Sequence, residues 1–268
     1  MKNKTVYTIL ILLCVIGFWL FENFYKPNSY TNSEKNNSSS KNSIATNLLP
    51  KSTTNSIVYH DYYMLSYNEK YEQAEWVMYN LKKEHLTKDH RKRPYFIEDH
   101  KVKSGSADWK NYKKSGYERG HLCPAGDRRF SKYAYDETFY TSNISPQKGK
   151  FNGGVWNRLE QKVRWWCKKY NDLYIITGGV LADDLDEIGY ENVAVPKAFY
   201  KVVFRVEKEE VKVAAFLFPH KETQKPLKEF LVSIDDLEKE TGINFFYNKS
   251  EKFQQKIESK VVSSNWKF

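Results

Sequence analysis

Cysteine is scarce in this sequence: the 268 residues contain three, Cys14, Cys123 and Cys167. No two of them form a Cys-x-x-Cys pair, and this spacing argues against a zinc site. Outside the cytoplasm Cys123 and Cys167 could form a disulfide. Cys167 is also explained as a small apolar residue on a helix, and we prefer that interpretation. The cysteines therefore do not define the fold.

Long apolar stretches are also scarce, and the one that stands out lies at the N-terminus. It runs from Val6 to Phe21 after Lys2 and Lys4. Its length as a helix is about 24 Å, short of the roughly 30 Å hydrocarbon core, although aromatic residues at its end could lie at the interface. We interpret residues 1–26 as an uncleaved membrane anchor with the rest of the chain outside the cytoplasm, because no small-x-small cleavage site follows. Secretion after cleavage of a signal peptide is the alternative.

Residues 27–56 contain few apolar side chains and are dominated by Asn, Ser, Thr and Lys. Such a composition cannot bury enough apolar surface to offset the entropy lost on ordering. We predict a disordered polar linker over 27–56 and one folded domain over 57–268. Internal repeats are absent.

Acidic residues are outnumbered by basic ones, which gives a net charge of +10 and a pI near 9.2. This charge favours a polyanionic partner, either nucleic acid or an anionic membrane surface. Basic residues are concentrated between Lys82 and Lys114, where Tyr95, Phe96, Trp109 and Tyr112 are interspersed. The pattern is typical of a cationic groove with stacking platforms for nucleic acid. A solvated loop explains it equally well.

Aromatic and β-branched residues predict strands over 59–67, 75–81 and 173–177, and a hairpin of 199–206 with 211–218. The polar stretch 68–74 is either a short helix or a long turn. Apolar residues at intervals of three and four predict a helix over 152–170. A second helix is expected to begin at Ser233 and to end near Gly242.

Three short segments contain the residue types that phosphodiester hydrolysis requires. They are Tyr117–Asp127 with Glu118-Arg119-Gly120-His121, Thr141–Gln147 with Asn143, and Phe151–Glu160 with Asn152. Imidazole exchanges protons near neutral pH, and guanidinium forms paired hydrogen bonds with phosphate. Amide and carboxylate oxygens are ligands that magnesium prefers.

Asn152 and Glu160 lie eight residues apart on the predicted helix. In a regular helix their side chains differ in direction by about 80°, so both can flank one site. Asn152 alone would be explained as a helix N-cap.

The three segments together resemble the signature of the DNA/RNA non-specific endonucleases with a ββα-metal finger. That family has an acidic residue before Arg-Gly-His, then Asn-x-x-Pro-Gln, then Asn-x-x-x-Trp-x-x-Leu-Glu, and all three elements occur here in order. The sequence departs at Glu118, where most members have Asp. The resemblance implies an α+β fold with a mixed, largely antiparallel central sheet flanked by helices and a ββα-metal finger active site.

The resemblance also implies a role for each residue. His121 would act as general base, and Arg119 would hold the scissile phosphate. Asn152 would bind Mg²⁺, or alternatively Mn²⁺, and Asn143 and Glu160 would orient bound waters or the imidazole. The expected activity is hydrolysis of DNA and RNA to 5′-phosphorylated fragments.

Two other functions are consistent with the sequence. One is a nucleic-acid-binding or uptake protein that does not cut; the presence of His121, Asn152 and Glu160 argues against it. The other is a membrane-tethered phosphodiesterase for small nucleotides, against which the long basic stretch argues, because a mononucleotide needs no extended cationic track.

Overall fold

The computed structural model describes residues 2–24, 48–208 and 210–268. The helices in these residues are Lys2–Phe24 (α1), Lys132–Glu137 (α2), Gly149–Phe151 (α3), Asn157–Tyr170 (α4), Ile234–Thr241 (α5) and Glu251–Glu258 (α6), and a π-helical turn, Asn152–Trp156, joins α3 to α4. The strands are Ile57–Tyr59 (β1), Met64–Asn68 (β2), Gln73–Lys82 (β3), Glu118–His121 (β4), Ile144–Gln147 (β5), Asp172–Gly179 (β6), Asp186–Ile188 (β7), Val193–Val195 (β8), Ala198–Glu207 (β9), Glu210–Pro219 (β10) and Leu231–Val232 (β11).

The central sheet has seven strands in the order β1-β2-β3-β6-β9-β10-β11, and each neighbouring pair is antiparallel. Two small antiparallel pairs, β4 with β5 and β7 with β8, lie outside it. The predicted α+β fold with a largely antiparallel sheet is confirmed. The predicted hairpin is the β9–β10 pair, and the polar stretch after β2 contains a short 3₁₀ helix, Glu69–Tyr71.

Side chains alternate between the two faces of the sheet and build a separate core on each. In β3, Val77 and Tyr79 belong to the first core, whereas Trp76 and Met78 belong to the second. This period of two follows from the geometry of a pleated strand. The first core is completed by α4, and the second by α5.

The finger strands β4 and β5 lie over a third apolar cluster. Phe96, Phe139 and Ile144 are buried there together with Val193 and Val195 of β8. The finger is therefore supported by α4 and the first core on one side and by this third cluster on the other.

The predicted membrane anchor corresponds to α1. Among the residues that the structure describes, no helix combines the length and the apolar character needed to cross a bilayer. The anchor prediction is therefore not supported.

The chain already packs against the domain before Ile57, where we predicted the domain to begin. Leu48 and Leu49 are buried in the second core, and the Thr53 amide donates a 2.9 Å hydrogen bond to the Glu75 carboxylate. Residues 48–56 are thus docked rather than part of a linker. The remainder of the predicted linker lies outside the described residues.

Cys123 and Cys167 are buried and are not bonded to each other. The Cys167 thiol donates to the backbone oxygen of Leu81 at 3.3 Å. Cys167 is therefore a small residue on an apolar helix face, as preferred from the sequence, and the disulfide is not formed.

Candidate active site

Two short strands and a helix bring the three sequence segments together. In the β4–β5 pair, Glu118 lies opposite Gln147 and His121 lies opposite Ile144. The close approach of the two strands requires glycine at position 120, because a Cβ on Gly120 would lie 2.3 Å from Oε1 of Gln147. The chain then turns through α3 and the π-turn into α4, which completes a ββα unit.

Asn152 is the first residue of the π-turn, and its side chain points back to β4. Its Nδ2 donates a 2.8 Å hydrogen bond to Oε2 of Glu118. The wider π-turn separates it from the regular phase of α4, and such turns are frequent at functional sites. Gly154 within the turn has a non-helical backbone conformation, with φ −95° and ψ −111°.

The N-cap interpretation of Asn152 is wrong. Asn152 itself has helical dihedral angles, φ −59° and ψ −55°, and its side chain bonds to a carboxylate rather than to a backbone N–H. The Glu118 carboxylate binds Nδ2 of Asn152, and no hydrogen bond to Oδ1 is found among the described residues. An amide oxygen next to a carboxylate is a donor set that suits a hard cation such as Mg²⁺.

His121 ends β4 in an apolar surrounding. Its ring makes an edge contact with Phe139 at 4.9 Å between centroids and lies 5.6 Å from Phe96. The Nε2 atom is buried and has no hydrogen-bond partner among the described residues. Burial, followed by the charges of Arg93 and Arg119, lowers the pKa of His121 to about 3. The imidazole is therefore neutral at physiological pH and can accept a proton.

Two guanidinium groups lie beside this imidazole. That of Arg119 lies 4.7 Å from the centre of the Phe96 ring, and that of Arg93 lies 5.3 Å from the same ring. Burial and the neighbouring charge of Arg93 lower the pKa of Arg119. Within the described chain neither arginine forms an ion pair with a carboxylate. Both charges are available for an anionic ligand.

Asn143 is fully buried and bonds only to backbone atoms. Its Oδ1 accepts from the Cys123 amide at 2.8 Å, and its Nδ2 donates to the oxygens of Cys123 and Thr138 at 3.0 and 2.9 Å. Among the described residues, the Asn143 side chain forms no hydrogen bond with the His121 imidazole. Asn143 instead fixes the loop that follows His121, as a positioning residue.

Glu160 belongs to a partly buried chain of charges behind the finger. Its Oε2 accepts from Arg164 at 3.2 Å, and the Arg164 Nε donates to Asp127 at 2.6 Å. The Tyr79 hydroxyl donates to the other oxygen of Asp127 at 3.1 Å. Burial raises the pKa of Glu160 although Arg164 and Lys201 oppose this. The chain of contacts joins α4 to the loop after His121.

Lys201 of β9 lies on the same side of the sheet and is fully buried. Its Nζ lies 3.2 Å from Oγ1 of Thr177 and 4.6 Å from the centre of the Trp156 ring. Burial lowers the pKa of Lys201 to about 8, although the charges of Glu160 and Asp127 oppose the shift. The lysine remains charged at neutral pH and balances the acidic groups of the network.

Four residues of the site were not singled out from the sequence: Arg93, Gln147, Arg164 and Lys201. Arg164 follows Glu160 by four positions on a helix, a spacing that indicates an ion pair. Gln147 ends the Asn-x-x-Pro-Gln segment, and both atoms of its buried amide group are without partners in the described chain. Arg93 and Lys201 carry no local signal, because only long-range contacts bring them to the site.

The structure agrees only in part with the prediction that the basic stretch between Lys82 and Lys114 forms a groove with stacking platforms. Phe96 and Tyr112 are buried. The guanidinium groups of Arg93 and Arg119 lie over the Phe96 ring, where a stacking platform would need a free surface. Tyr95 is 78% exposed beside Arg93. Of the proposed platforms, Tyr95 therefore has the largest accessible ring.

Comparison with known proteins places these features in a family. The family model of DNA/RNA non-specific endonucleases matches residues 40–252. Mitochondrial nuclease EXOG of Danio rerio is 36% identical over 215 residues, which cover 74% of this chain and 62% of that protein. Nuclease C1 of Cunninghamella echinulata var. echinulata is 38% identical over 69% of this chain and 80% of its own length. Mitochondrial endonuclease G of Homo sapiens is 33% identical over 69% of this chain and 68% of its own length.

A solved structure shares the fold. The crystal structure of the EndoG/EndoGI complex matches with a TM-score of 0.67 at 32% identity, and covers 73% of this chain and 87% of that chain. The matched region spans 62% of Danio rerio EXOG and 54% of the Mus musculus protein. These relatives therefore contain further sequence that has no counterpart in the match.

Proposed function

This chain belongs to the DNA/RNA non-specific endonuclease family, and from that premise we propose that it is a metal-dependent endonuclease that hydrolyses phosphodiester bonds in DNA and RNA. One observation carries the proposal: in the part of the chain that the structure describes, the buried Nε2 of His121 has no hydrogen-bond partner, and the neighbouring guanidinium groups of Arg93 and Arg119 form no ion pair. An unsatisfied base next to unsatisfied cations fits a phosphate group and a water to be deprotonated.

His121 acts as the general base. Its neutral imidazole takes a proton from the attacking water at Nε2, to which no described residue forms a competing hydrogen bond. Phe96 and Phe139 hold the ring in place through their contacts. Proximity of negatively charged phosphate counteracts the two arginines and stabilises the imidazolium that forms.

Arg119 and Arg93 bind the scissile phosphate and the charge that develops on it. Their stacking on Phe96 restricts the guanidinium groups before substrate arrives. Less conformational entropy is then lost on binding.

Asn152 and Glu118 are the residues that would hold a metal ion. Mg²⁺, with Mn²⁺ as the alternative, would find hard oxygen ligands in the Asn152 amide and the Glu118 carboxylate. When bound, such an ion neutralises charge on the phosphate and the leaving oxygen. Glu118 keeps the negative charge of the aspartate found in most family members, on a side chain one methylene longer.

Glu160 and Asn143 act as positioning residues. Glu160 orients Arg164, which holds Asp127 in the loop after His121. Asn143 fixes the Cys123 backbone in the same loop. Loss of either displaces His121 without removing a group that contacts the substrate.

Substrate choice follows from what the site offers. None of the assigned groups is positioned to recognise a base or a 2′-hydroxyl, and backbone-directed arginines accept DNA and RNA alike. Products should carry a 5′ phosphate. The basic surface with Tyr95 favours polymers over mononucleotides.

The first test compares plasmid DNA, a structured RNA and a dinucleotide, each with and without Mg²⁺. Cleavage of both polymers that depends on the ion and far exceeds cleavage of the dinucleotide supports the proposal. Binding of plasmid without cleavage would indicate a nucleic-acid-binding protein. Preferential cleavage of the dinucleotide would indicate a nucleotide phosphodiesterase.

A further inference from the structure

Three carboxylates meet where the last two helices pack against each other. Asp235 and Glu238 are three residues apart on α5, so they lie on one face of it, and Glu258 is the last residue of α6. One oxygen of each carboxylate lies within 4.8 Å of one oxygen of the other two. Two consecutive helices, separated by residues 242–250, thus direct acidic oxygens to one point.

Glu258 is the unusual member of this group. It is 4% exposed, and its buried Oε1 has no hydrogen-bond partner among the described residues. No lysine or arginine of the described chain forms an ion pair with Asp235, Glu238 or Glu258. A buried carboxylate without a partner is costly, so the position calls for a positive ligand.

The surroundings make the negative charge more costly still. Glu258 stands at the C-terminal end of its helix, where the helix dipole disfavours a negative charge. Burial, Glu238 and Asp235 together raise the pKa of Glu258 to about 7. One carboxylate oxygen of Glu238, Oε1, already accepts a hydrogen bond from the Phe245 amide at 2.8 Å.

We propose that Asp235, Glu238 and Glu258 form a binding site for a hard divalent cation, with calcium as the preferred ion, which joins α5 to α6. The donors are all oxygens, the ligand type that calcium selects. Calcium accepts oxygen ligands in irregular, flexible geometry, as two packed helices would supply them, whereas magnesium demands a near-ideal octahedron and keeps several of its waters.

This cation site is separate from the catalytic one. Ile234 and Leu237 of α5 pack into the second core, whereas α4 and the finger belong to the first. The cation site and the finger therefore lie on opposite faces of the central sheet. Its occupation is expected to stabilise the C-terminal helices without taking part in phosphodiester hydrolysis.

The test is a calcium titration of the full chain, followed by thermal melting and by calorimetric binding. The wild type should show a saturable rise in Tm at concentrations up to about 10 mM, beyond the weakest range of protein calcium sites. Glu258→Gln should lose this rise and bind one calcium fewer per chain. Glu240→Gln, which removes an exposed charge from the same α5 helix, is the matched control and should behave like the wild type.

Asn152→Ala distinguishes calcium binding at the proposed site from calcium binding at the catalytic site. This variant should retain the calcium-binding event that Glu258→Gln loses. Mg²⁺-dependent cleavage by Glu258→Gln should stay within about twofold of the wild type, since the residue lies on the other face of the sheet. If Glu258→Gln does not fold, Asp235→Asn gives the same readout. An unchanged calcium response in these variants, or none in the wild type, overturns the proposal.

Discussion

At the scale of single residues, the electrostatic environment of His121 decides its chemistry. Two arginines and burial keep the ring neutral, and its Nε2 has no protein partner in the described chain. A histidine with these properties cannot hold a proton in the free protein at neutral pH. It can only receive one during the reaction.

Replacement of His121 by alanine should remove the chemical step and leave binding nearly unchanged. The rate of cleavage should fall by about 10²- to 10⁴-fold, the usual contribution of a general base, while the Kd for DNA changes little. Gel-based cleavage and fluorescence anisotropy measure the two quantities. His90→Ala, an exposed histidine in the basic loop, is the control; near-normal cleavage by His121→Ala would remove the mechanism.

The pH dependence of cleavage follows from the same environment. A base with a lowered pKa becomes protonated only at lower pH, so kcat/KM should stay high as the pH falls through 6.5, the ordinary value for histidine. In Arg93→Gln one positive charge is gone, the pKa of His121 rises, and the acid limb should move to higher pH. A wild-type acid limb centred at or above pH 6.5 contradicts this account.

At the scale of elements, the π-turn determines where Asn152 points. Eight residues of regular helix would set Asn152 and Glu160 about 80° apart, but the wider turn breaks this phase. Asn152 accordingly bonds to Glu118 on β4, and Glu160 bonds to Arg164 on its own helix. The two residues therefore serve different parts of the site.

Asn152→Ala should weaken metal binding rather than the fold. The Mg²⁺ concentration for half-maximal activity should rise about tenfold or more, and excess Mg²⁺ should restore part of the rate. Since Asn152 does not cap the helix, stability should drop by less than the roughly 1 kcal/mol typical of a lost N-cap. Asn157→Ala, the same change one turn further along, is the control. A lower Tm with unchanged Mg²⁺ dependence would support the capping role instead.

A buried network joins three elements near the finger. His60, between β1 and β2, lies 2.9 Å from Asp99 and 3.1 Å from Glu137 of α2. Burial alone would lower the pKa of His60, but the two carboxylates reverse this and raise it. Burial likewise opposes ionisation of Asp99, and the hydrogen bond and charge of His60 lower its pKa.

Removal of His60 leaves the buried Asp99 carboxylate without its cation and leaves Glu137 with only the more distant Lys101, at 3.9 Å. His60→Ala should destabilise the protein by about 3–5 kcal/mol in urea unfolding, whereas His100→Ala, at an exposed histidine, should change little. Because the pKa of His60 is raised, its contribution is complete below pH 6.5 and is lost as the pH rises through the folded value. The wild type should therefore lose stability above pH 6.5 more steeply than His60→Ala.

At the scale of the whole molecule, the N-terminal edge of the domain is stabilised by residues 48–56, whose composition resembles that of a linker. Leu48 and Leu49 close the second core, and the segment after them is tied to Ser66 and Glu75. A fragment that begins at Ile57 lacks these contacts. The local composition, rich in Ser and Thr, conceals them.

A fragment of residues 57–268 should be less stable than one of residues 46–268. Each buried leucine contributes about 1.5–3 kcal/mol, so the difference should reach roughly 3–6 kcal/mol, minus the entropy of ordering the segment. Urea unfolding of the two fragments measures it. Equal midpoints would show that residues 48–56 pack without stabilising the domain.

Local sequence patterns determined β3, β6 and the β9–β10 hairpin of the central sheet, the amphipathic helix α4 and the identity of the finger residues. These features depend on periodicity and short motifs, which are visible along the chain. The patterns did not separate β1 from β2, which were expected as one strand over 59–67, and they did not indicate β11. Only the tertiary structure decided that Asn143 bonds to the backbone of the loop after His121 and that Arg93 approaches His121. It also decided that Leu48 and Leu49 are buried and that Glu258 lies close to Asp235. Each of these contacts joins residues far apart in sequence, so no local propensity encodes it, and packing of the complete chain selects it.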